Sequence, residues 1–215
     1  MSTELTTFNL VPPKVLEAYG ADGKRLNFND VYASTHINVR VPHYVGMLRG
    51  HRVRVRWTNG HYKYDTEILD VGNPAPLNFI IPRLEVIDSI GRLVTVNYSV
   101  RLTPETPLII SKSLSLTIDP QDFDLVEPRL SSDRKRVTVK FLNMAPGYTV
   151  KVRWHGVVVR ETETKPIQSS SSVAFDIPAN WVTENAGKTV IVNYTVYRVG
   201  SNANLMFSRL LRVTL

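Results

Sequence analysis

The sequence contains itself twice. Met47-x-x-Gly50 followed by Val53, Val55 and Trp57 returns as Met144-x-x-Gly147 followed by Val150, Val152 and Trp154, an offset of 97 residues. The segment from Asn143 to Trp154, with Ala145 inside it, aligns throughout with Gly46 to Trp57. Phe79-x-Ile81-Pro82 returns as Phe175-x-Ile177-Pro178, and the run Gly91 to Val100 returns as Gly187 to Val196, both at an offset of 96. Ser111 to Ile118 and Ser208 to Leu215 align again at 97. A repeat this complete implies one fold built twice. The 215 residues then divide into domains of about 100, a size at which a β-sandwich buries a working core. The expected boundaries are 1–119 and 120–215, joined by the short linker Asp119 to Asp124. The openings Leu10 to Val15 and Leu125 to Leu130 align at 115, so the first copy carries about 18 additional residues, roughly 20–35. Ala21-Asp22-Gly23-Lys24 reads as a turn inside that insert, which predicts an extra hairpin.

Alternation at period two dominates both copies, as a half-buried strand requires. Val53, Val55 and Trp57 share one face while Arg52, Arg54 and Arg56 share the other. Ile37, Val39 and Val41, and then Val94, Val96, Tyr98 and Val100, repeat the pattern, and the second copy follows with Val137, Val139, Phe141, Val190, Val192, Tyr194 and Val196. Each copy yields about seven strands. The segments after Pro82 and Pro178 read as single helical turns, and no longer helical pattern occurs. Short strands at regular spacing, a Trp in the third main strand and a Tyr in the sixth predict an all-β chain of two tandem immunoglobulin-like sandwiches. With no cysteine, Trp57 and Trp154 must pack on aliphatic neighbours instead of a disulfide, and thiolate chemistry and Cys-ligated zinc are excluded. A hydrophobic fraction of 43% against 21% charged residues argues for a packed fold over disorder.

The repeated set of a Met-x-x-Gly turn, a V-x-V-x-W strand, a Phe-x-Ile-Pro stretch and Gly followed by V-x-Y-[ST]-V resembles the bacterial immunoglobulin-like repeats. The resemblance covers both domains. It implies a module of the kind found in adhesin-like, surface and secreted proteobacterial proteins, acting as a stalk, spacer or recognition unit; separately, with no chemical motif present, no cofactor is expected. Having two copies, this chain reads as a compact protein more than as a length of fibre.

The candidate binding site is a cationic stripe. Arg52, Arg54 and Arg56 alternate along one strand, Arg40 is expected on a neighbouring element, and Tyr62, Lys63 and Tyr64 follow directly. Arginine offers forked donors to carboxylate, phosphate or sulfate, and tyrosine offers a stacking surface. The same pattern also serves an exposed strand kept soluble and unpaired by charge. The second copy retains only Lys151 and Arg153, which makes the stripe particular to the first. The loops Arg101 to Pro107 and Val199 to Asn204 are the other expected contact surfaces.

Catalytic motifs are missing. His36, His43, His51, His61 and His155 show no metal-ligand spacing, so no metal is expected. Ser169 to Ser172 lack a nucleophile elbow, and Asp65, Glu67 and Asp70 are the one local carboxylate cluster of the first copy. Asn97-Tyr98-Ser99 and Asn193-Tyr194-Thr195 match a glycosylation pattern but lie in mid-strand, where an inward Tyr turns Asn outward; the inward phenols need hydrogen-bond partners. The net charge of +7 leans toward residues 120–215 and admits an anionic ligand, while nucleic acid is not indicated. No run reaches the roughly 20 apolar residues of a membrane helix. Residues 1–15 lack both the basic and the apolar region of a secretory leader, which leaves the cytoplasm or a leaderless export route open. The reading that follows is a non-catalytic binding module for a protein or glycan surface, with a secreted effector or toxin and a structural spacer as alternatives.

Overall fold

The computed structural model describes residues 9–60, 62–141, 144, 146–168 and 172–215. His61, Asn143, Ala145 and Ser169 to Ser171, together with residues 1–8, lie outside the described residues. The chain forms two compact units, Met1–Asp119 and Pro120–Leu215.

In the first unit the elements are β1 (Lys14–Val15), β2 (Arg25–Leu26), a 3-10 turn (Phe28–Val31), β3 (His36–Val41), β4 (Arg52–Asn59), β5 (Tyr62–Asp65), β6 (Leu69–Asp70), β7 (Leu77–Pro82), α1 (Arg83–Ile87), β8 (Leu93–Arg101), β9 (Ile109–Ile110) and β10 (Leu114–Ile118). β1, β3 and β7 make one sheet. β2, β10, β8, β4 and β5 make the other in that order, with β6 also on β4 and β9 on β8. Ile37, Val39, Val41 and Ile81 from the small sheet and Val53, Val55, Trp57, Val94, Val96, Tyr98 and Val100 from the large one are essentially inaccessible to solvent. Period-two alternation therefore decides the core, because a strand sends alternate side chains to opposite faces.

The second unit repeats the plan with β11 (Arg129–Leu130), β12 (Arg136–Lys140), β13 (Tyr148–His155), β14 (Val159–Glu161), β15 (Lys165–Ile167), β16 (Ser172–Asp176), α2 (Ala179–Thr183), β17 (Thr189–Arg198), β18 (Met206–Phe207) and β19 (Leu211–Thr214). β11, β12 and β16 form the small sheet. β14, β13, β17 and β18 form the large one, with β15 on β13 and β19 on β17. Trp154 is 0% exposed, as is Trp57, and Phe141, Phe175, Tyr194 and Trp181 close the core around it. Part of the expected linker belongs to this unit: Gln121 Nε2 donates to the Phe207 carbonyl at 2.7 Å, and the Phe207 amide donates to Gln121 Oε1 at 3.0 Å.

The insert is a hairpin only at its tip, where Tyr19 bridges Arg25. Beyond it β2 lies parallel along β10, with Arg25 against Thr117 and Leu26 against Ile118. Leu26, Phe28 and Val31 are buried. The physical reason is that β10 would otherwise be a bare sheet edge, and an apolar segment gains more by covering it than by pairing with itself in solvent.

Both copies also hold hydroxyls, buried at Thr66, Ser111 and Ser208 and half-buried at Thr162, that complete their central ladders. Thr66 Oγ1 accepts from the Val55 amide at 3.0 Å and Thr162 Oγ1 from the Val152 amide at 3.1 Å. Ser111 Oγ accepts from Tyr98 N at 3.0 Å and Ser208 Oγ from Tyr194 N at 2.9 Å. These four side chains stand where short outer strands change register, and a buried N–H left without an acceptor would cost about 1–3 kcal/mol. The phenols differ from expectation. Tyr194 Oη donates to the Lys140 carbonyl at 3.4 Å, whereas Tyr98 Oη has no partner among the described residues, and burial pushes its pKa up to about 12.

Candidate functional site

The outer face of the large sheet in the first unit carries the arginine stripe, and strand register decides what stands beside it. Arg52, Arg54 and Arg56 of β4 face Arg101, Ser99 and Asn97 of β8. On the other side Arg56 opposes Asp65 of β5, and Arg52 opposes Asp70 of β6. Asp65 binds Arg56 through two bonds of 2.7 and 2.8 Å and approaches Arg54 Nη1 at 3.5 Å. Those hydrogen bonds from Arg56, and then the Arg54 charge, hold the Asp65 carboxyl below its usual range against an opposing effect of burial. Arg52 reaches Asp70 more loosely, at 3.6 Å.

Between β4 and β8 lies a recess of about 150 Å³ lined by Arg52, Arg54, Arg101, Ser99, Ile68 and Leu108. Three arginines and a serine thus line it, together with the aliphatic residues Ile68 and Leu108. Arg56, committed to Asp65, is not part of it. Arg101 spends one long contact, 3.5 Å, on the Pro104 carbonyl, so the loop that begins at Arg101 contributes its first residue to the recess.

The sequence reading of this site needs three corrections. Arg40 sits on β3 in the small sheet, where it is exposed and donates from Nε to Asn78 Oδ1 at 3.0 Å. Its neighbours Val39 and Val41 point into the core, so Arg40 faces out from the opposite side of the sandwich. Tyr64 opposes Trp57 and Tyr62 opposes Asn59. Cross-strand partners share a face, so both tyrosines lie on the inward side at the sheet edge, away from the arginines. Lys63, opposite Thr58, does share the arginine face. Ser99 was missed, and Arg101 was read only as the start of a contact loop and not as a neighbour of the stripe. The signal was present in the alternation of Leu93 to Arg101, which turns both outward, but only the register shows that they stand beside Arg52 and Arg54.

The second copy holds the same recess with different chemistry. Thr149, Lys151, Thr195, Tyr197, Thr164 and Leu205 line a cavity of about 250 Å³; Thr149, Lys151, Thr195 and Tyr197 are the repeat equivalents of Arg52, Arg54, Ser99 and Arg101. The acid beside it also recurs. Glu161 pairs with Lys151 and lies 3.0 Å from Arg153 Nε, off the line of a hydrogen bond.

Elsewhere the candidate groups have structural partners. His51 is buried and its Nδ1 lies 3.1 Å from Tyr44 Oη, with the two rings stacked. His155 contacts Asn193 Oδ1 at 3.2 Å. Asn193 turns to the outer face as its motif implied, yet it is buried there beneath neighbouring side chains. Among the described residues no group of three or more His, Asp or Glu is placed to hold a metal ion, and no helix is long and apolar enough to cross a membrane.

No protein-family model matches the sequence, and no curated protein matches it. The chain is similar to solved bacterial adhesin and immunoglobulin-like repeat domains. The BSP domain of a biofilm-associated protein shares 14% identity over 94% of this chain and 29% of that one, with a TM-score of 0.28. A tetra-tandem repeat from the extending region of a large adhesion protein shares 12% over 96% of this chain and 49% of that one, TM-score 0.36. A 1.5-MDa bacterial ice-binding adhesin shares 12% over 96% and 65%, TM-score 0.33. The chain thus spans less than two thirds of each of these structures, and identities and scores this low leave their activities with those proteins.

Proposed function

We propose that this chain is a non-catalytic binding module for a protein or glycan surface, and that the recess between β4 and β8 of its first sandwich holds an anionic group of that surface. The observation that carries the reading is the cross-strand pair Arg52 and Arg101. Like charges placed directly opposite one another destabilise a sheet, and the same position in the second copy is the neutral pair Thr149 and Tyr197, with Tyr197 in register against Thr149. The first copy therefore retains an unfavourable pair that its own fold does not require. A carboxylate or sulfate between the two guanidiniums would turn that repulsion into forked charge-assisted hydrogen bonds, and Ile68 and Leu108 would shield them from water.

The test is titration calorimetry of the full chain with sialylated, uronic-acid-containing and sulfated oligosaccharides and with an acidic peptide, against neutral sugars as controls. Binding to at least one anionic probe, weakening as salt is raised, is expected, with a loss of tenfold or more in Arg101→Tyr, the residue of the second copy. Binding of neutral and anionic probes alike, or an Arg101→Tyr protein of undiminished affinity, would overturn the reading.

A further inference from the structure

On the outer face of the first sandwich, strand register sets the side chains in columns. Arg52 and Arg54 of β4 stand opposite Arg101 and Ser99 of β8. On the far side of β8, Ile110 of β9 stands opposite Ser99, and the same register carried past the end of β9 sets Leu108 beside Arg101. On the far side of β4, Asp70 and Leu69 of β6 stand opposite Arg52 and Val53, which sets Ile68 beside Arg54. Leu108 and Ile68 accordingly line the recess with the arginines. The face thus runs from aliphatic, at Leu108 and Ile110, through cationic, at Arg101, Arg52 and Arg54, to aliphatic again at Ile68. All three aliphatic residues are exposed.

The second copy breaks this profile on both sides. Thr66 and Thr162 cap equivalent amides, so Thr164 stands in the place of Ile68, and Phe207, in the place of Ile110, is buried. Exposed aliphatic flanks are therefore not a requirement of the fold. The centre of the first copy is also poorly neutralised. Arg52 meets Asp70 only at 3.6 Å, with the Asp70 side chain 75% exposed, and so loose a surface pair contributes little. Room in the centre is limited. A recess of about 150 Å³ holds about six non-hydrogen atoms, since a cavity of that size takes up one benzene. It admits the side chain of an acidic amino acid but not the ring of an acidic sugar. A ring resting above it would press hydroxyls against Ile68 and Leu108, which return no hydrogen bond.

We infer, on the basis of the anion site already proposed, that the group held between Arg52 and Arg101 is an acidic side chain of an extended segment of a partner protein. That segment crosses the strands, with an apolar residue two positions before the acid and another two positions after it. Spacing is the reason. Neighbouring strands lie about 4.8 Å apart, so the column of β9 and the column of Ile68 are about 14 Å apart, with the recess midway. An extended chain advances about 3.4 Å per residue and sends every second side chain to one face. Its residues i and i+4 therefore lie about 14 Å apart, and residue i+2 points the same way from the middle. The acid meets the guanidinium groups, while the apolar pair meets Leu108 with Ile110 on one side and Ile68 on the other. These contacts also keep water from the ion pairs, which strengthens them. Crossing requires no free sheet edge, because side chains on the face of the sheet make the contacts.

The test is fluorescence anisotropy of the full chain with a fluorescein-labelled peptide, GSLSESLSG, beside titration with a sulfated and a uronic-acid-containing oligosaccharide. Saturable binding of the peptide is expected. Glutamine in place of its glutamate should cost tenfold or more, and the respaced peptide GSSLELSSG should lose threefold or more. Ile68→Thr, which installs the residue of the second copy at an exposed position, should also weaken the peptide threefold or more while circular dichroism shows an unchanged fold. Equal affinity for the two spacings, or an Ile68→Thr protein that binds the peptide as its parent does, would overturn the inference. Oligosaccharides that bind through Arg101 where the peptide does not would overturn it as well and leave the anionic recess standing; if no anionic probe binds, both readings fall.

Discussion

The two sandwiches are built from one pattern, and what they share separates cleanly from what they do not. Both bury a Val-x-Val-x-Trp strand and a Val-x-Tyr strand, and both cap ladder amides with a Thr and a Ser. Both set one carboxylate, Asp65 or Glu161, beside two cations of the central strand. Chemistry present twice at equivalent positions is what the fold needs. The chemistry present once is the arginine recess of the first copy with its aliphatic flanks, and this is where binding is proposed. The first copy alone thus carries the like-charge pair Arg52 and Arg101, and the second has Thr164 in the place of Ile68.

Even within the core the copies solve one problem differently. Trp57 Nε1 donates to Ser89 Oγ at 3.1 Å, and Ser89 Oγ donates to the Glu85 carbonyl at 2.7 Å. In the second copy Asn185 replaces Ser89. It accepts from the Val157 amide at 2.8 Å and donates to the Trp181 carbonyl at 2.7 Å, and Trp154 Nε1 is left without a partner among the described residues. Asn185 thereby crowds Gly156, where a Cβ would lie 2.3 Å from its Oδ1. Gly60, at the same hairpin of the first copy, is required for another reason: its φ is 57° and the nearest atom to an added Cβ is 3.9 Å away.

These differences can be broken or sharpened by experiment. The largest effect is expected from Trp57→Ala and Trp154→Ala, each costing about 3–5 kcal/mol, with the Trp57 change the greater because it also removes a hydrogen bond worth about 1 kcal/mol. Urea denaturation followed by circular dichroism should show two separate losses, and equal costs would mean that the indole bond contributes nothing. Next, Gly156→Ala should cost about 1–3 kcal/mol through overpacking and be largely rescued by Asn185→Ser, whereas no change at Ser89 should rescue Gly60→Ala. A double-mutant cycle read by thermal unfolding measures this, and a Gly156→Ala protein as stable as its parent would remove the account of Asn185.

The smallest effect concerns pH. Burial lowers the pKa of His155, with the contact to Asn193 partly opposing it, and burial lowers that of His51. A base whose folded pKa lies below its unfolded value binds protons first when unfolded, so the stabilising contribution is complete above about pH 6.5 and declines as the pH falls below it. Each sandwich should lose stability on acidification through its own histidine. His155→Thr, which installs the residue found at the equivalent Thr58, should flatten the dependence of the second unit and leave that of the first unchanged. Calorimetry between pH 7.5 and 5 on the order of half-unit steps follows this linkage, and a slope unaltered by the substitution would show that His155 is not its source.

Much of the fold was legible in the residues, and much of the site was not. The repeat, the inward Val and Trp positions and the single turns after Pro82 and Pro178 could all be read directly, because they are properties of neighbours along the chain. The arginine stripe was equally visible on β4. Its surroundings were not, since Arg101 is far from Arg52 in sequence and only the pairing of β4 with β8 brings them together. Adjacency in sequence likewise suggested Tyr62 and Tyr64 as partners of the stripe, but the register of β5 turns them to the other face. Arg40 looked near because its strand precedes β4, yet consecutive strands in a sandwich can belong to different sheets.

The amino-acid order alone determined that this chain makes two copies of one all-β unit and which side chains each strand hides, because alternation at period two is a local property that survives any arrangement of the strands. Tertiary structure alone decided that the insert runs parallel to β10 and that Arg52 meets Arg101 between Ile68 and Leu108. Those outcomes depend on which edges and faces the folded chain brings together, and edge coverage is settled by the apolar area and hydrogen bonds gained in three dimensions.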